Sequence, residues 1–329
     1  MSKKKPQNKS AKVEPQIQND SPKSKRSFVL ALIGIALFLA FGFWFFRSVL
    51  NNKTKVRAVG IVTGCVKSPA FVAKLGFTNQ AALSTSAKRI KGLAIIEQGK
   101  QPYQHESWKI AGNLAPIQLD QDGDVFVAPA PMINVLDNPF AEQNTIHKVD
   151  SNLQEMKPFV KLPITANATE QNPYGILGLG YDCETSSLYA ASVSGSTRVS
   201  EIGKIYQIDS KNGDVKSVLE NIDAFGIGVF NSAKGKRLYY GLARNPEVWS
   251  IGLGDNGGFL SDAKLEISLE DAGTRGDDKA RKIRFTPQNE MIVSGIEFNF
   301  NLIAPTEKQE TVYRFKYDSA KDSWLATGN

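Results

Sequence analysis

The sequence predicts an all-β fold: a β-propeller of five to six four-stranded blades, preceded by one N-terminal transmembrane helix. Two observations lead to this fold class. An uncharged apolar run occupies residues 28–46 and is long enough to cross a bilayer. After it, a hairpin unit recurs, and Tyr189 and Tyr239 of two such units are 50 residues apart. Four short strands in a unit of about 40–50 residues are typical of propeller blades.

The apolar run from Phe28 to Phe46 is interpreted as an uncleaved membrane anchor. As a helix, its 19 residues are about as long as the ~30 Å hydrocarbon core is thick. A cleaved secretory signal is the alternative. Its candidate cleavage site, Ala40-Phe41-Gly42, lies inside the run and is followed by four aromatic residues. We therefore expect a signal-anchor helix.

Basic residues before the helix predict its orientation. Residues 1–26 contain eight Lys and Arg against Glu14 and Asp20, a net charge of +6. The positive-inside rule then places the N-terminus in the cytoplasm and the following domain in the periplasm or outside the cell, as a single-pass protein. The whole chain carries +7, so the rest is nearly neutral, and we expect no nucleic-acid binding.

Composition divides the chain into four parts. These are a disordered basic cytoplasmic tail (1–27), the transmembrane helix (28–46), a linker with a first strand (47–65) and the propeller ectodomain (66–329). Residues 56–62 alternate in a strand-like manner, and we expect them to complete the last sheet and close the ring. The blade number stays open between five and six.

Each repeat unit begins with a hairpin whose turn is rich in Asp, Asn, Gly or Ser. The hairpins start at Phe77, Leu119, Tyr181, Phe230 and Phe285. A third strand with alternating apolar and polar residues follows at 146–150, 205–209, 248–251 and 312–315. A fourth strand follows at 159–162, 215–219 and 264–269.

In the first unit, the third and fourth strands are expected at residues 92–96 and 108–110. The five predicted blades are 66–112, 113–163, 173–220, 222–270 and 277–327. A β-sandwich is less favoured, because sandwich strands need not repeat in groups of four.

The matching positions of these units include Asp182, Leu188, Tyr189, Ile205, Tyr206 and Asp209. Through them, residues 66–329 resemble the six-bladed propellers of the gluconolactonase, strictosidine-synthase-like and NHL-repeat group, at the level of architecture. The resemblance implies a divalent metal such as calcium at the ring centre, held by Glu, Asn and Asp of inner strands. This sequence departs from the family at the positions of those ligands, so metal-dependent lactonase or ester-hydrolase activity is the alternative function.

Few residues suggest chemistry directly. His147 lies in a strand at the position that Tyr206 and Trp249 take in other blades, which favours a packing role. Asp120, Asp122 and Asp124 resemble part of a calcium loop but lack its twelfth-position Glu, so we expect a backbone-capping turn. Cys65 and Cys183 are the two cysteines, and the sequence leaves open whether they form a disulfide.

The links between second and third strands are long at residues 130–143, 193–203 and 296–310, and we expect them to lie on one face of the ring. Loops on a rigid scaffold commonly carry binding residues. The predicted binding residues are Arg198, Glu297, Phe298, Asn299 and Phe300. The competing interpretation is that both Phe side chains fold back and cover the end of the last blade.

The sequence therefore favours a binding module for a protein or carbohydrate partner outside the cytoplasm, with no cofactor. The enzyme alternative depends on the side chains that face the central channel. Three or more converging Glu, Asp, Asn or His would favour it, whereas a channel lined by small or apolar side chains and backbone would not.

Overall fold

The computed structural model describes residues 57–87, 90–132, 135–270, 272, 276–302 and 310–327. The expected basic tail, the transmembrane helix over residues 28–46 and the first part of the linker lie outside these ranges. Within the ranges, no helix has both the length and the apolar character that crossing a membrane requires. The described chain is almost entirely β and confirms the β-propeller fold.

The described chain begins with four short elements. They are β1 (Gly60–Ile61), α1 (Ala70–Lys74), β2 (Ala82–Ser84) and β3 (Ala94–Ile96). Strands β2 and β3 form a two-stranded sheet where the first blade was predicted, and we call this sheet blade 1.

Blades 2 to 5 are four antiparallel sheets, each built from four consecutive strands, so the sequence repeat is also the structural unit. Blade 2 contains β4 (Leu114–Leu119), β5 (Val125–Pro129), β6 (Thr145–Val149) and β7 (Met156–Lys161). Blade 3 contains β8 (Ile176–Asp182), β9 (Ser187–Ser192), β10 (Lys204–Asp209) and β11 (Val215–Glu220). Blade 4 contains β12 (Ala224–Ser232), β13 (Gly235–Leu242), β14 (Glu247–Gly252) and β15 (Lys264–Ser268). Blade 5 contains β16 (Lys279–Phe285), β17 (Glu290–Ile296), β18 (Thr311–Asp318) and β19 (Ser323–Ala326).

Hydrophobic side chains between neighbouring blades form the core. Tyr206 packs between blades 2 and 3, Trp249 between blades 3 and 4, and Tyr313 between blades 4 and 5. Tyr206 and Tyr313 are buried and Trp249 is half-buried, so the three residues occupy equivalent positions as the repeat alignment predicts. The buried His147 lies at the same level of blade 2.

Blade 1 departs from the prediction. Trp108 does not lie in a strand over residues 108–110, because residues Glu106–Lys109 form a 3-10 turn. The His105 ring caps this turn by accepting from the Ser107 backbone N–H. Trp108 is fully buried, its Nε1 donates to the Gln154 carbonyl at 2.7 Å, and its ring lies 5.4 Å from that of Phe71 in α1. A buried tryptophan and a short helix therefore take the place of the two missing strands.

The segment over residues 57–69, which we call the strap, crosses one end of the ring. Its strand β1 pairs with β12 of blade 4, where Ile61 lies opposite Phe230. The expectation that this segment completes the last sheet is therefore wrong. From blade 4 the strap passes blade 3, where its Val62 carbonyl accepts from Cys183 N–H, and reaches blade 2, where Lys67 N–H donates to the Asp120 carbonyl.

Candidate binding channel

The inner strands β4, β8, β12 and β16 surround a central channel with a volume of about 960 Å³. Much of its wall is backbone and apolar side chain, including Leu177, Ile227 and Val229. Glycine is required where the inner strands approach each other closely. A Cβ at Gly178 would lie 2.2 Å from the Phe225 carbonyl oxygen, which no side chain tolerates without displacing the strand. The channel wall is therefore a closely packed scaffold.

The strap covers one end of this channel. Thr63 and Val66 of the strap line the cavity. Cys65 and Cys183 form a disulfide across 118 residues, which answers the question that the sequence left open. This bond fixes the strap to the first hairpin of blade 3.

Ion pairs also fix the strap at this end of the channel. Lys236 is fully buried, and its Nζ lies 2.5 Å from Asp182 Oδ2 and 3.2 Å from Glu184 Oε2. Arg57 Nε donates to Glu184 Oε2 at 2.7 Å, and its Nη2 donates to Asp255 Oδ1 at 2.9 Å. Burial opposes ionisation of Glu184, but Arg57 and Lys236 outweigh it and lower the pKa of this carboxyl group. The start of the strap is therefore bound to blades 3 and 4 by ion pairs.

Aromatic side chains border the other end of the channel. Tyr174, Phe225 and Phe298 line the cavity, and the ring of Phe298 lies 4.7 Å from that of Phe225 and 5.4 Å from that of Tyr174. Phe300 lies behind Phe298 at 5.1 Å and does not line the cavity. We call this group of aromatic residues the rim.

The predicted binding residues divide into two groups. Arg198, Glu297 and Asn299 are exposed, as expected for loop residues. Phe298 and Phe300 are only 6% and 4% exposed, so the expectation of freely exposed aromatic anchors is wrong. They fold back, but against Tyr174 and Phe225 of blades 3 and 4 rather than over the end of the last blade. Whether these five residues bind a partner remains a prediction.

Arg244 organises the rim, and sequence reasoning missed it. Its Nε donates to the buried Asp223 at 2.7 Å, and its Nη2 donates to the carbonyls of Thr197 and Ser200 at 2.6 Å. The guanidinium also lies 5.3 Å from the centre of the Phe300 ring. It thereby fixes the loop that carries Arg198 to the Phe loop of blade 5. Arg244 lies in a short link after β13, whereas the binding residues predicted from sequence all lie in long links.

One wall of the channel is basic. Arg281, Lys282 and Arg284 of β16 line it, and Glu310 is the carboxylate among the described lining residues. Arg281 Nη1 lies 2.5 Å from Glu310 Oε1. Partial burial, together with repulsion from Arg281 and Arg284, lowers the pKa of Lys282.

This wall does not fit the divalent metal that the resemblance to gluconolactonases implies. Calcium takes six to eight oxygen ligands, mostly carboxylates and carbonyls. Within the described part of the chain, no three His, Cys, Asp or Glu side chains lie close enough to hold a metal ion. The neighbouring cations would also repel a divalent cation.

Other candidate residues have structural roles. Asp120 Oδ1 accepts from the N–H groups of Asp122 and Asp124 at 2.9 and 3.0 Å, so this run is a capped turn as predicted. Burial lowers the pKa of His147, which favours its neutral form and agrees with a packing role.

Comparisons with known proteins identify no family for this chain. No protein-family model matches the sequence, and no curated protein matches it. Among solved structures, a protein from Lactobacillus plantarum is similar with a TM-score of 0.43 and 11% identity over 74% of this chain and 64% of that one. A luciferin-regenerating enzyme is similar with a TM-score of 0.43 and 11% identity over 77% of this chain and 81% of that one.

A periplasmic gluconolactonase from Pseudomonas aeruginosa is also similar, with a TM-score of 0.34 and 12% identity over 55% of this chain and 48% of that one. The chain spans less than two thirds of the Lactobacillus protein, and all three TM-scores are below 0.5. The fold assignment therefore depends on sheet topology. Among the described residues, the β-propeller has three four-stranded blades, a fourth blade to which β1 adds a fifth strand, and a two-stranded sheet.

Proposed function

We propose that this chain is a membrane-anchored binding module whose propeller captures a protein or carbohydrate partner outside the cytoplasm. The observation that carries the proposal is the difference between the two ends of the channel. The strap covers one end, whereas aromatic side chains from blades 3, 4 and 5 border the other. Ligand sites are commonly concave and apolar, with a few polar groups placed around them.

The rim has the properties of a recognition surface. Tyr174 and Phe298 line the cavity although they are only 4% and 6% exposed, so they would form part of an apolar wall against which a sugar ring or an apolar side chain packs. Exposed polar residues surround them, including Arg198, Glu297 and Asn299. Arg244 holds the loops in place, so little conformational entropy is lost on binding.

The alternative, a metal-dependent lactonase or ester hydrolase, is less well supported. It needs carboxylates that converge in the channel, and the described wall offers basic side chains and the ion-paired Glu310 instead. The membrane anchor of the proposal derives from the apolar run over residues 28–46.

Two matched substitutions test the proposal. Phe298→Ala and Phe300→Ala remove the same group from the same aromatic cluster, and each is expected to destabilise the propeller by about 3–5 kcal/mol. Only Phe298 lines the channel. The purified full chain, immobilised in detergent, is incubated with solubilised membranes and the extracytoplasmic fraction, and the captured partner is identified and quantified per folded molecule.

We expect Phe298→Ala to lower capture per folded molecule at least tenfold, whereas Phe300→Ala leaves it within twofold of the unmodified chain. Equal capture by both variants would contradict binding at the rim. The fraction folded is measured by circular dichroism, so that loss of folded protein is not mistaken for loss of binding.

A further inference from the structure

The two faces of blade 5 differ sharply. Side chains alternate between the faces of a sheet. One face carries Val293, Tyr313 and Trp324, which are buried against blade 4. On the other face, Val312 is 45% exposed and Leu325 is 50% exposed. We call this second face, formed by residues 282, 284, 292, 312, 314, 316 and 325, the open face.

The open face exists because blade 1 is incomplete. In a propeller, each sheet packs on the next around the ring, so the first blade would cover the last. Among the described residues, blade 1 has two strands, and its hydrophobic side chains pack with α1 and against blade 2 instead. The outer strands of blade 5 are therefore left uncovered by any described part of the chain.

The open face is basic. Lys282 and Arg284 lie on β16, and Arg314 and Lys316 lie on β18 two strands away. All four are exposed. Strand geometry places neighbouring cations about 7 Å apart along a strand and about 10 Å apart across the sheet.

Little within the described chain compensates these charges. Arg284 and Arg314 have no ion-pair partner among the described residues, and Lys282 lies 3.8 Å from Glu310 Oε1. Glu290, opposite Lys316 on the neighbouring strand, and Asp318 at the end of β18 are acidic side chains on the same face. A cluster of like charges on one sheet is unfavourable unless it serves an interaction.

Apolar residues are interleaved with the cations. Arg284 and Arg314 both lie in register with Ile292, one on each side of it. Val312 and Leu325 lie on the flanking positions. Arginine around an apolar centre is typical of protein interfaces. A sulfated or carboxylated glycan would use the charges but leave these apolar side chains in water.

We propose that the open face of blade 5 docks an acidic protein, whose carboxylates pair with Arg284 and Arg314 and whose apolar side chains pack on Ile292, Val312 and Leu325. Lys282 and Arg284 also line the channel, but the open face shares no residue with the rim. The proposal does not depend on the rim binding its own partner. A second copy of this chain does not fit a symmetric contact, because the same basic face would meet itself. The N-terminal tail does not fit either, because residues 1–26 carry a net charge of +6.

Site-specific photocrosslinking in the native membrane tests the surface first. A photoreactive amino acid replaces Val312 in the full chain. The control replaces Leu265, which is 46% exposed on the outer strand of blade 4. We expect a protein adduct at position 312 whose identified sequence is acidic, and no such adduct at position 265. A homodimer adduct, a glycan or lipid adduct, or no adduct at position 312 would each overturn the proposal.

Charge reversal then tests the contact with the identified protein in purified form. We expect Arg284→Glu combined with Arg314→Glu to weaken binding at least tenfold, and we expect binding of the unmodified chain to weaken as salt rises. The control, Lys157→Glu on blade 2 combined with Lys211→Glu on blade 3, makes the same charge change and should change binding less than twofold. An equal loss of affinity in the two double variants, or an affinity that does not change with salt concentration, would contradict the proposal. Thermal melting confirms that each variant is folded.

Discussion

The two ends of the channel are held by different kinds of interaction. At the strap end, the Cys65–Cys183 disulfide and a buried ion-pair cluster around Lys236 fix a segment that crosses three blades. At the rim, Arg244 and a group of mutually tilted aromatic rings hold loops from three blades. At the strap end the charged groups are paired with one another, whereas at the rim Tyr174, Phe225 and Phe298 line the cavity. The comparison teaches that one end of this propeller is covalently cross-linked, whereas the other is held by non-covalent contacts alone.

Removing the disulfide should have the largest effect on this asymmetry. In the unfolded chain the bond closes a loop of 118 residues, so its loss frees considerable conformational entropy. We expect Cys65→Ser combined with Cys183→Ser to lower the free energy of unfolding by about 3–5 kcal/mol, measured by urea denaturation. Adding reductant should then leave the free energy of unfolding of the double variant unchanged. A loss below about 1 kcal/mol would mean that the ion pairs alone fix the strap.

Substitution of Arg244 should disturb the rim and leave the strap intact. Arg244→Ala leaves the carboxylate of Asp223 buried without its cation and frees the carbonyls of Thr197 and Ser200. We expect the free energy of unfolding to fall by about 2–3 kcal/mol, because the Arg244–Asp223 ion pair is only partly buried. The control is Arg198→Ala, whose side chain is exposed and should cost less than about 0.5 kcal/mol. Similar losses for both variants would show that Arg244 does not organise the loops.

A smaller effect should appear in the acid range at the strap end. Arg57 and Lys236 hold the pKa of Glu184 below its ordinary value of 4.5, although burial works against them. A carboxylate whose pKa is lower in the folded state binds fewer protons there than in the unfolded chain. Its contribution is therefore present above pH 4.5 and is lost as the pH falls through the lowered value.

We expect Glu184→Gln to flatten the loss of stability between pH 6 and pH 3, followed by urea denaturation at each pH. Glu170→Gln is the matched control, because Glu170 is exposed and forms no ion pair among the described residues. If both variants follow the pH profile of the unmodified chain, the ion-pair cluster does not contribute to acid stability.

The sequence contains strong local information about blades 2 to 5. Their strands alternate apolar and polar residues, and their hairpins carry turn residues, so each unit can be recognised without knowing its neighbours. The structure of blade 1 was not predicted, for two reasons. The helix α1 has only five residues, which is too few to show a helical periodicity, and the few residues around Trp108 in the 3-10 turn resemble a short strand.

Long-range pairing could not be predicted from the sequence. The disulfide joins residues 118 positions apart, and β1 pairs with β12 through a register that only the folded ring defines. Phe298 and Phe300 lie in a loop that looks exposed in sequence, but Tyr174 and Phe225 from other blades cover them. Their burial depends on which blades meet at the rim, and so does the role of Arg244.

Hydrogen–deuterium exchange of the full chain, with and without the partner that the unmodified chain captures, tests the asymmetry of the channel most directly. Binding slows hydrogen exchange of the backbone amides that it covers or stabilises. Exchange rates at the strap end and at the rim end of the channel therefore show separately where the partner binds. The account predicts slower exchange on partner addition at residues 193–203 and 296–300, which belong to the rim loops, and no change at residues 62–67 of the strap. Slower exchange in the strap with none in the rim loops would contradict it.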